Sequence, residues 1–588
     1  MKTQQQIIDS LPVHLRPFVA TQDYTNYTPR DQAVWRFLMH QLVENLSETA
    51  HPLYLDGLKG TGIDVEYIPK IETMNEHLQK IGWRAAVVDG FIPPAIFIEF
   101  LAHRVLVVAV DIRSIDHMLY TPAPDIIHES AGHAPFIIDV DYAEYLERVG
   151  DFGRRVISNK ADLETYEAIR TLSIVKESPL ATAEEIEDAE KQLNDTIEKY
   201  KNDELSESSK LGRLQWWTTE YGLVGTPDDY KIFGAGLLSS LGESVNCLND
   251  DKVKKIPLTI DAIAQPFDIT NEQPQLFVAK NCRHLSQIGE EFARSTCYAK
   301  GGTESLEVAI NAKTVNTAVY DSGIEVSGMF TNVIKDATGK AIYLNTTGPT
   351  QLAYKEKEIP GHGTDYHAPG FGSPIGKVQS MDKCLSSYTI DDLKMFNIEI
   401  GKDVKLEFLS GITVVGKLQS IYRRDGKNLM FSFENCTVTQ LDGTRLFEPD
   451  WGTFDMAVGD EITSVYGGSA DQENYPLYKK PSDTATVNVE YDKSTQELFS
   501  FYQRARDLRE ADAANADIEQ LANEYINSEH KEWLLAFELN ELLTKAGLSG
   551  EEKVVLDKEL KAIQQDANEE THQLIQYGLN RLANWEES

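Results

Sequence analysis

Basic side chains are in short supply: across 588 residues, 56 Lys and Arg stand against 93 Asp and Glu, a formal net charge of -37. So acidic a surface repels phosphate backbones and anionic lipid, which excludes nucleic acid and membranes from the expected partners. Long apolar runs are missing too, and no stretch approaches the ~20 residues of a membrane-spanning helix. The opening MKTQQQIIDSLPVHLRP has no signal-peptide core. Cysteine is scarce. Cys247, Cys282, Cys297, Cys384 and Cys436 form no CxxC pair, and their odd number fits no disulfide framework. These absences together lead us to expect a cytoplasmic protein with reduced thiols. No repeat at a solenoid period is visible either.

What is present is ordinary globular composition, 41% hydrophobic and 25% charged, over a length that suggests several domains. Residues 1–305 mix helical and turn signals with many aromatics, and apolar spacing predicts helices over 31–47 and 69–82. Within them, about 160–210, lies an acidic, Lys-rich insertion (TAEEIEDAEKQLNDTIEKYKNDELSESSK) that reads as a solvated helical hairpin or a partly disordered segment. From 306 to 490 apolar and polar residues alternate, with turns at Ser410-Gly411, Asp425-Gly426 and Asp442-Gly443, which predicts antiparallel strands. GHGTDYHAPGFGSPIG, at 361–376, reads as loop. Residues 491–588 read as helices, with a capping box at Ser549 and Glu552 and a C-cap at Gly547. The exposed faces of this helical block are expected to pack on another domain or on a second copy of the chain, giving a homo-oligomer. The expected fold class is therefore multidomain α+β: a mainly helical domain, a mainly antiparallel β domain, and a C-terminal helical block.

The densest cluster of reactive residue types is TPAPDIIHESAGHAPF, 121–136. His128 and His133 lie about 140° apart on an ideal helix. They can share a metal only if the helix ends or distorts between them, and Gly132 with Ala134-Pro135 predicts an ending. Glu220, among Trp216, Trp217 and Tyr221, is a carboxylate that needs a partner if buried. Two imidazoles and one carboxylate would make the facial triad of non-heme Fe(II) oxygenases. Asp125 is the expected acceptor for the His128 ring. Two other readings of these residues stay open. They are ordinary core histidines with a structural glutamate, or a zinc peptidase of the dipeptidyl peptidase III type with Glu129 as general base. The peptidase reading lacks its downstream Glu-Glu-Cys-x-x-Glu-like helix. His362 and His367 repeat the five-residue spacing in a Gly-rich loop with no third ligand evident in the sequence.

Three segments in order resemble the pterin-dependent aromatic amino acid hydroxylases. They are DIRSIDHMLYTPAPDIIHESAGH (111–133), WWTTEYGL followed by FGAGLLSSLGE (233–243), and FDITNEQPQLFVAKNCRHLSQIGEEFA (267–293). The resemblance implies the hydroxylase catalytic fold over residues 1–305 and iron held by His128, His133 and Glu220. It implies an amino acid substrate clamped by Arg113, hydrogen-bonded by Thr121 and Ser239, and lined by Pro124 and Trp216. It also implies a tetrahydropterin, tetrahydrobiopterin or a relative, stacked on Phe97, touching backbone near Gly90 and Ile92, and reached by Glu129 through water. Dioxygen would be divided between the pterin and the aromatic ring, with the pterin supplying two electrons. Trp216 and Ile269 are more similar to phenylalanine-using than to tryptophan-using members, so phenylalanine to tyrosine is the expected reaction. The sequence departs from the family at Pro93 and Pro94, at Phe233 and at Gln215. Because the resemblance starts near Met1, the family's usual N-terminal regulatory domain is not expected. The competing view of the whole chain is a non-enzymatic scaffold with a vestigial hydroxylase domain.

Overall fold

The computed structural model describes residues 3–90, 92–119, 124–177, 181–268, 272–478, 491–511 and 514–587. Helix α1 (Pro29–Leu46) starts with a reciprocal cap: Thr28 accepts from the Asp31 N–H, and Asp31 accepts from the Thr28 N–H. Pro29 occupies the first position, where its missing N–H costs nothing. Val34, Trp35, Phe37, Leu38, Met39 and Leu42 are all buried. Such a run covers more than one face, so α1 must be packed on several sides.

Beside it, β1 (Arg84–Val88) and β2 (Val105–Ala109) pair in parallel across α2 (Pro94–Ala102). Pro94 sits at the start of α2, so its missing donor is again harmless. A mixed sheet in the order β4-β3-β6-β5 uses Leu223–Thr226 (β3), Asp229–Ile232 (β4), Lys254–Pro257 (β5) and Gln275–Ala279 (β6). The acidic insertion is a helical hairpin of α3 (Lys160–Glu177) and α4 (Ala183–Tyr200). Lys199–Glu164 (2.6 Å) and Lys176–Glu190 (2.8 Å) pair across it. Ala189 is the one residue that α4 buries, as its sparse apolar content dictates.

The second half builds two antiparallel sheets. One runs β10-β9-β8-β7-β16, from Val315–Tyr320 (β7), Ile324–Lys335 (β8), Ala341–Tyr354 (β9), Gly372–Pro374 (β10) and Ile462–Gly467 (β16). The other runs β11-β12-β13-β14, from Asp403–Glu407, Thr413–Arg424, Lys427–Thr439 and Arg445–Phe447, with β15 (Phe454–Ala457) also on β13. Asp425 and Gly426 turn β12 into β13 with positive φ at both positions (44° and 79°), the hairpin geometry their sequence predicts. The stretch expected to be all loop contains β10, because Gly372–Pro374 pair with Tyr343–Asn345.

The last five helices are α5 (Lys493–Glu510), α6 (Asn515–Ile526), α7 (Trp533–Lys545), α8 (Glu551–Asp566) and α9 (Glu569–Glu587). Gly547 follows α7 with φ +69°, a left-handed stop. The box expected at Ser549 and Glu552 does not form: Gly550 is the N-cap and no side chain closes it. The apolar faces of these helices are covered within the chain, since Trp533, Leu534, Phe537 and Tyr525 join one core with Trp35, Phe37 and Leu38 of α1. Phe37 meets Trp533 and Phe537 edge-on at 5.2 and 5.1 Å. Within that contact Arg36, itself 2% exposed, donates to Glu66 (2.6 Å), Glu538 (3.0 Å) and both oxygens of Glu541.

No helix among the described residues is long and apolar enough to cross a membrane. All five thiols are free, and burial pushes those of Cys247, Cys282, Cys297 and Cys436 up to about 12. The Arg36 cluster yields a direct test. Arg36→Met should destabilise the protein by about 3 kcal/mol, because it removes the cation that two buried carboxylates share and leaves Glu538 to Arg509 and Glu541 to Lys545 alone. Adding Glu541→Gln should recover part of the loss. Chemical denaturation of the three proteins measures this, and a loss under about 1 kcal/mol for Arg36→Met would show that the cluster does not hold the helices.

Candidate metal centre

His128 and His133 belong to one π-helical turn, His128–His133, in which the Ala134 N–H bonds the Glu129 carbonyl five residues back. The helix does not end between them, as expected from Gly132 and Pro135; it widens. A turn closed by i→i+5 bonds stacks residues five apart, so the spacing that an α-helix splays by about 140° becomes one face. Glu220 closes a second turn of the same kind, Trp216–Glu220, where the Tyr221 N–H reaches the Trp216 carbonyl at 2.8 Å. Widening frees carbonyls from the usual i→i−4 pairing, and hydroxyls take them. Thr218 Oγ1 donates to the Leu214 carbonyl (2.6 Å), Thr219 Oγ1 to that of Gln215 (2.9 Å), and Ser130 Oγ to that of Ile126. The Ser and Thr in HESAGH and WWTTE thus serve the backbone.

The two turns meet. His133 Nε2 lies 3.2 Å from His128 Nε2, His128 Nε2 3.2 Å from Glu220 Oε2, and His133 Nε2 3.2 Å from Glu220 Oε1. Burial alone would raise the Glu220 carboxyl, but His133 and His128 outweigh it and hold it far below the usual range. Burial would likewise lower the His133 imidazole, yet Glu220 carries it up to about 9. Glu220 is half-buried, less enclosed than its aromatic neighbours suggested. The close packing needs Gly132. A Cβ there would stand 2.7 Å from the Ala235 carbonyl oxygen in the short helix Ala235–Leu238.

That short helix delivers Ser239 to the site. Ser239 Oγ donates to the Ala235 carbonyl (2.7 Å) and takes the Nδ1–H of His128 at 3.0 Å, leaving the His128 Nε2 lone pair facing Glu220 and His133. This corrects the expectation for Asp125, which accepts from the His128 backbone N–H (3.0 Å) and not from its ring. Asp125 is instead the partner of Arg113, receiving Nε and Nη2 at 2.8 Å each, while Arg113 Nη1 reaches the Ser239 carbonyl at 3.1 Å. Burial would raise the Asp125 carboxyl, but Arg113 and the two backbone N–H groups hold it below its usual range. Both side chains are buried, so part of the guanidinium fork foreseen for a ligand is spent inside the protein.

Glu129 is buried beside these groups. Burial raises its carboxyl, and its Oε2 has no hydrogen-bond partner. Trp216 is held between Tyr221 (4.6 Å) and Phe267 (4.2 Å) in a three-ring stack. Pro124 is exposed. Gly90 is exposed with φ +69°, Ile92 is buried ahead of α2, and Phe97 is half-buried on α2 between two cores. None of these three makes a hydrogen bond or ring contact with the triad among the described residues. Thr121 and Ile269 lie outside the described residues. Phe233 packs on Phe136 (4.6 Å) and Tyr142 (5.1 Å) behind the centre.

The arrangement can bind a divalent ion. With bonds of about 2.1 Å, adjacent donors stand about 3.0–3.4 Å apart around such an ion, and the three donors here already match. Ser239→Ala should lower Co2+ affinity by about 10–100-fold without unfolding the chain, because the His128 tautomer is no longer held. Equilibrium dialysis with a thermal melt checks this, and an unchanged affinity would remove Ser239 from the site.

Residues 18–160 and 201–341 match the family of biopterin-dependent aromatic amino acid hydroxylases. The break in that match falls on the α3–α4 hairpin. The phenylalanine-4-hydroxylase of Pseudomonas aeruginosa is 29% identical over 269 residues, 46% of this chain and 85% of the relative. That of Rattus norvegicus is 31% identical over 237 residues, 40% of this chain and 42% of the relative. Among solved structures, the phenylalanine hydroxylase of Chromobacterium violaceum with bound iron(III) and oxidized 7,8-dihydrobiopterin aligns at a TM-score of 0.38. It is 24% identical, and the alignment covers 50% of this chain and 91% of that one.

Proposed function

We propose, from the membership of residues 18–160 and 201–341 in the biopterin-dependent aromatic amino acid hydroxylase family, that this enzyme hydroxylates phenylalanine to tyrosine with iron and a tetrahydropterin. The observation that carries the reading is the convergence of His128, His133 and Glu220 at 3.2 Å, the donor set of an Fe(II) oxygenase. The pterin fits as well. Glu129 Oε2 is a buried acceptor without a partner, and its raised carboxyl can hold a proton for a cofactor nitrogen or a bridging water. Phe97, half-buried, offers a ring for stacking, and exposed Gly90 has nothing within 4 Å of its Cβ position, so backbone there can approach a flat cofactor. When bound, iron and reduced pterin together would activate dioxygen for attack on an aromatic ring.

The chain's own residues set the geometry for that chemistry. Held by His128, His133 and Glu220, an ion would keep further positions for other ligands. Arg113 is anchored through Asp125 and Ser239 with its side chain only 2% exposed, and in this reading the one N–H left on each of Nη1 and Nη2 meets the amino acid carboxylate. The same Asp125 that orients Arg113 also caps the His128 backbone, so substrate clamp and metal ligand move as one piece. Trp216 has both faces covered, so in this reading its edge and the outer face of Phe267 form the apolar wall for a ring, and Thr121 and Pro124 are assigned to the substrate by the family resemblance alone. The zinc-peptidase and scaffold readings have no structural feature in their favour: the first lacks its second motif, and the second leaves the three-donor convergence without a use.

The test is tyrosine formation by the full chain supplied with Fe2+, reduced pterin, oxygen and phenylalanine. His133→Ala and Glu220→Ala should each abolish turnover and strip iron while the fold persists. An iron-loaded protein that hydroxylates none of phenylalanine, tyrosine and tryptophan would overturn the reading. Phenylalanine should be turned over faster than tryptophan. Arg113→Lys should raise the KM for phenylalanine by about 10–100-fold, because lysine cannot hold Asp125 through two bonds and reach a ligand carboxylate as well. An unchanged KM would place the clamp elsewhere.

A further inference from the structure

The β-rich half holds a second convergence of histidine and carboxylate, with no part in the site described above. His362 and His367 lie in the loop between β9 and β10, and Asp455 lies on β15 in the other sheet. Their ligand atoms all fall within 4.8 Å of one another. His362 Nδ1 is 3.2 Å from His367 Nε2 and 3.9 Å from Asp455 Oδ2.

We propose that His362, His367 and Asp455 form a second metal site, for a divalent first-row transition ion, seated between the two β-sheets.

Three observations carry this. The first is a shortage of protons. Both contacts run through the one Nδ1 of His362, and a single N–H there serves one acceptor. The second is that Asp455 Oδ2 has no partner at hydrogen-bond geometry, although Asp455 is only 4% exposed and the Tyr366 hydroxyl also faces its carboxylate. A bare carboxylate oxygen so deeply buried is costly unless a cation faces it. The third is that the carboxylate is aimed from behind and the loop that carries the histidines is pinned. Ser432 Oγ donates to Asp455 Oδ1 at 2.6 Å, which turns Oδ2 toward the imidazoles. The two histidines are fixed by their backbones: the Leu352 N–H bonds the His362 carbonyl at 2.9 Å and the Thr350 N–H bonds that of His367 at 3.2 Å.

The loop's glycines make this path possible. A Cβ at Gly363 would stand 2.7 Å from both carboxylate oxygens of Glu358, and one at Gly370, where φ is +128°, would meet the Thr346 carbonyl oxygen at 2.5 Å. The donors sit more loosely than in the first centre, with pairs at 3.2 and 3.9 Å and all within 4.8 Å, and side-chain shifts of about an ångström bring them to about 3.0–3.4 Å. Imidazole with carboxylate suits zinc, iron or cobalt better than calcium or magnesium. Three protein donors would leave positions for water or a small ligand, and Tyr366, 52% exposed, stands edge-on to both rings at 5.2 and 4.7 Å. An ion here ties the loop on β9 to the opposite sheet.

The experiment is equilibrium dialysis of the full chain against Co2+, with thermal melts in parallel. Wild type should hold two Co2+ per chain. His133→Ala should hold one, His367→Ala one, and the double variant none. In the His133→Ala background Co2+ should still raise the melting midpoint, and adding His367→Ala should abolish the rise. Should His367→Ala disturb the β-sheets, Asp455→Ala, cut on the other sheet, decides by the same count. One Co2+ in wild type that His133→Ala removes entirely would overturn the proposal. So would two Co2+ retained by both His367→Ala and Asp455→Ala. Neither count depends on hydroxylation, so this site and the proposed activity fail separately.

Discussion

The metal centre depends on backbone hydrogen bonds that skip one residue. Where the chain bonds i to i+5 at His128–His133 and at Trp216–Glu220, side chains that a regular helix would scatter come to one face. Such turns are unfavourable in isolation, and here the neighbouring side chains compensate. Ser130, Thr218 and Thr219 satisfy the displaced carbonyls, and Gly132 lets the helix Ala235–Leu238 press against the first turn. That pressed helix in turn sets Ser239 under His128. Ligand position, ligand tautomer and the Arg113–Asp125 anchor are one mechanical unit, which is why none of them can shift alone.

Around this unit the chain adds parts with different ties to it. The α3–α4 hairpin is held by exposed ion pairs and little apolar burial, and each such pair contributes little. It falls where the family match is interrupted, as expected of an insertion that leaves the core unchanged. The C-terminal helices are bound far more tightly. Their apolar faces merge with the core of α1, and Arg36 meets Glu538 and Glu541 in the interior of the contact. A buried ion pair of this kind adds little net stability over an apolar contact, but it tolerates only one docking register. The β-rich half has its own apolar interiors and touches the catalytic half near Arg155–Ile157, where the Gly467 N–H bonds the Arg155 carbonyl at 3.0 Å.

Much of this was legible in the residues themselves. Period-2 alternation and Asp-Gly turns give β11–β14, apolar periodicity gives α1 and α7, and a shortage of apolar residues leaves α3–α4 on the surface. Histidine and carboxylate types in the order found among the hydroxylases mark His128, His133 and Glu220. Local chemistry settles the strands, turns and helices, because hydrogen-bonding period, turn dihedrals and side-chain polarity act over a few residues, whereas the three ligands were marked by the resemblance alone.

Tertiary structure decided the rest. From spacing, His128 and His133 diverge, and only the i→i+5 turn, stabilised by a helix a hundred residues away in sequence, makes them converge. Ser239 stands 111 residues from the ring it holds, and no pattern in either segment announces the contact. The Arg113 fork looked whole until folding set Asp125 against part of it. His362 and His367 lacked a third donor in sequence because Asp455 comes from another sheet. In each case the deciding interaction joins segments with no local reason to meet, and their meeting is set by packing of the whole chain.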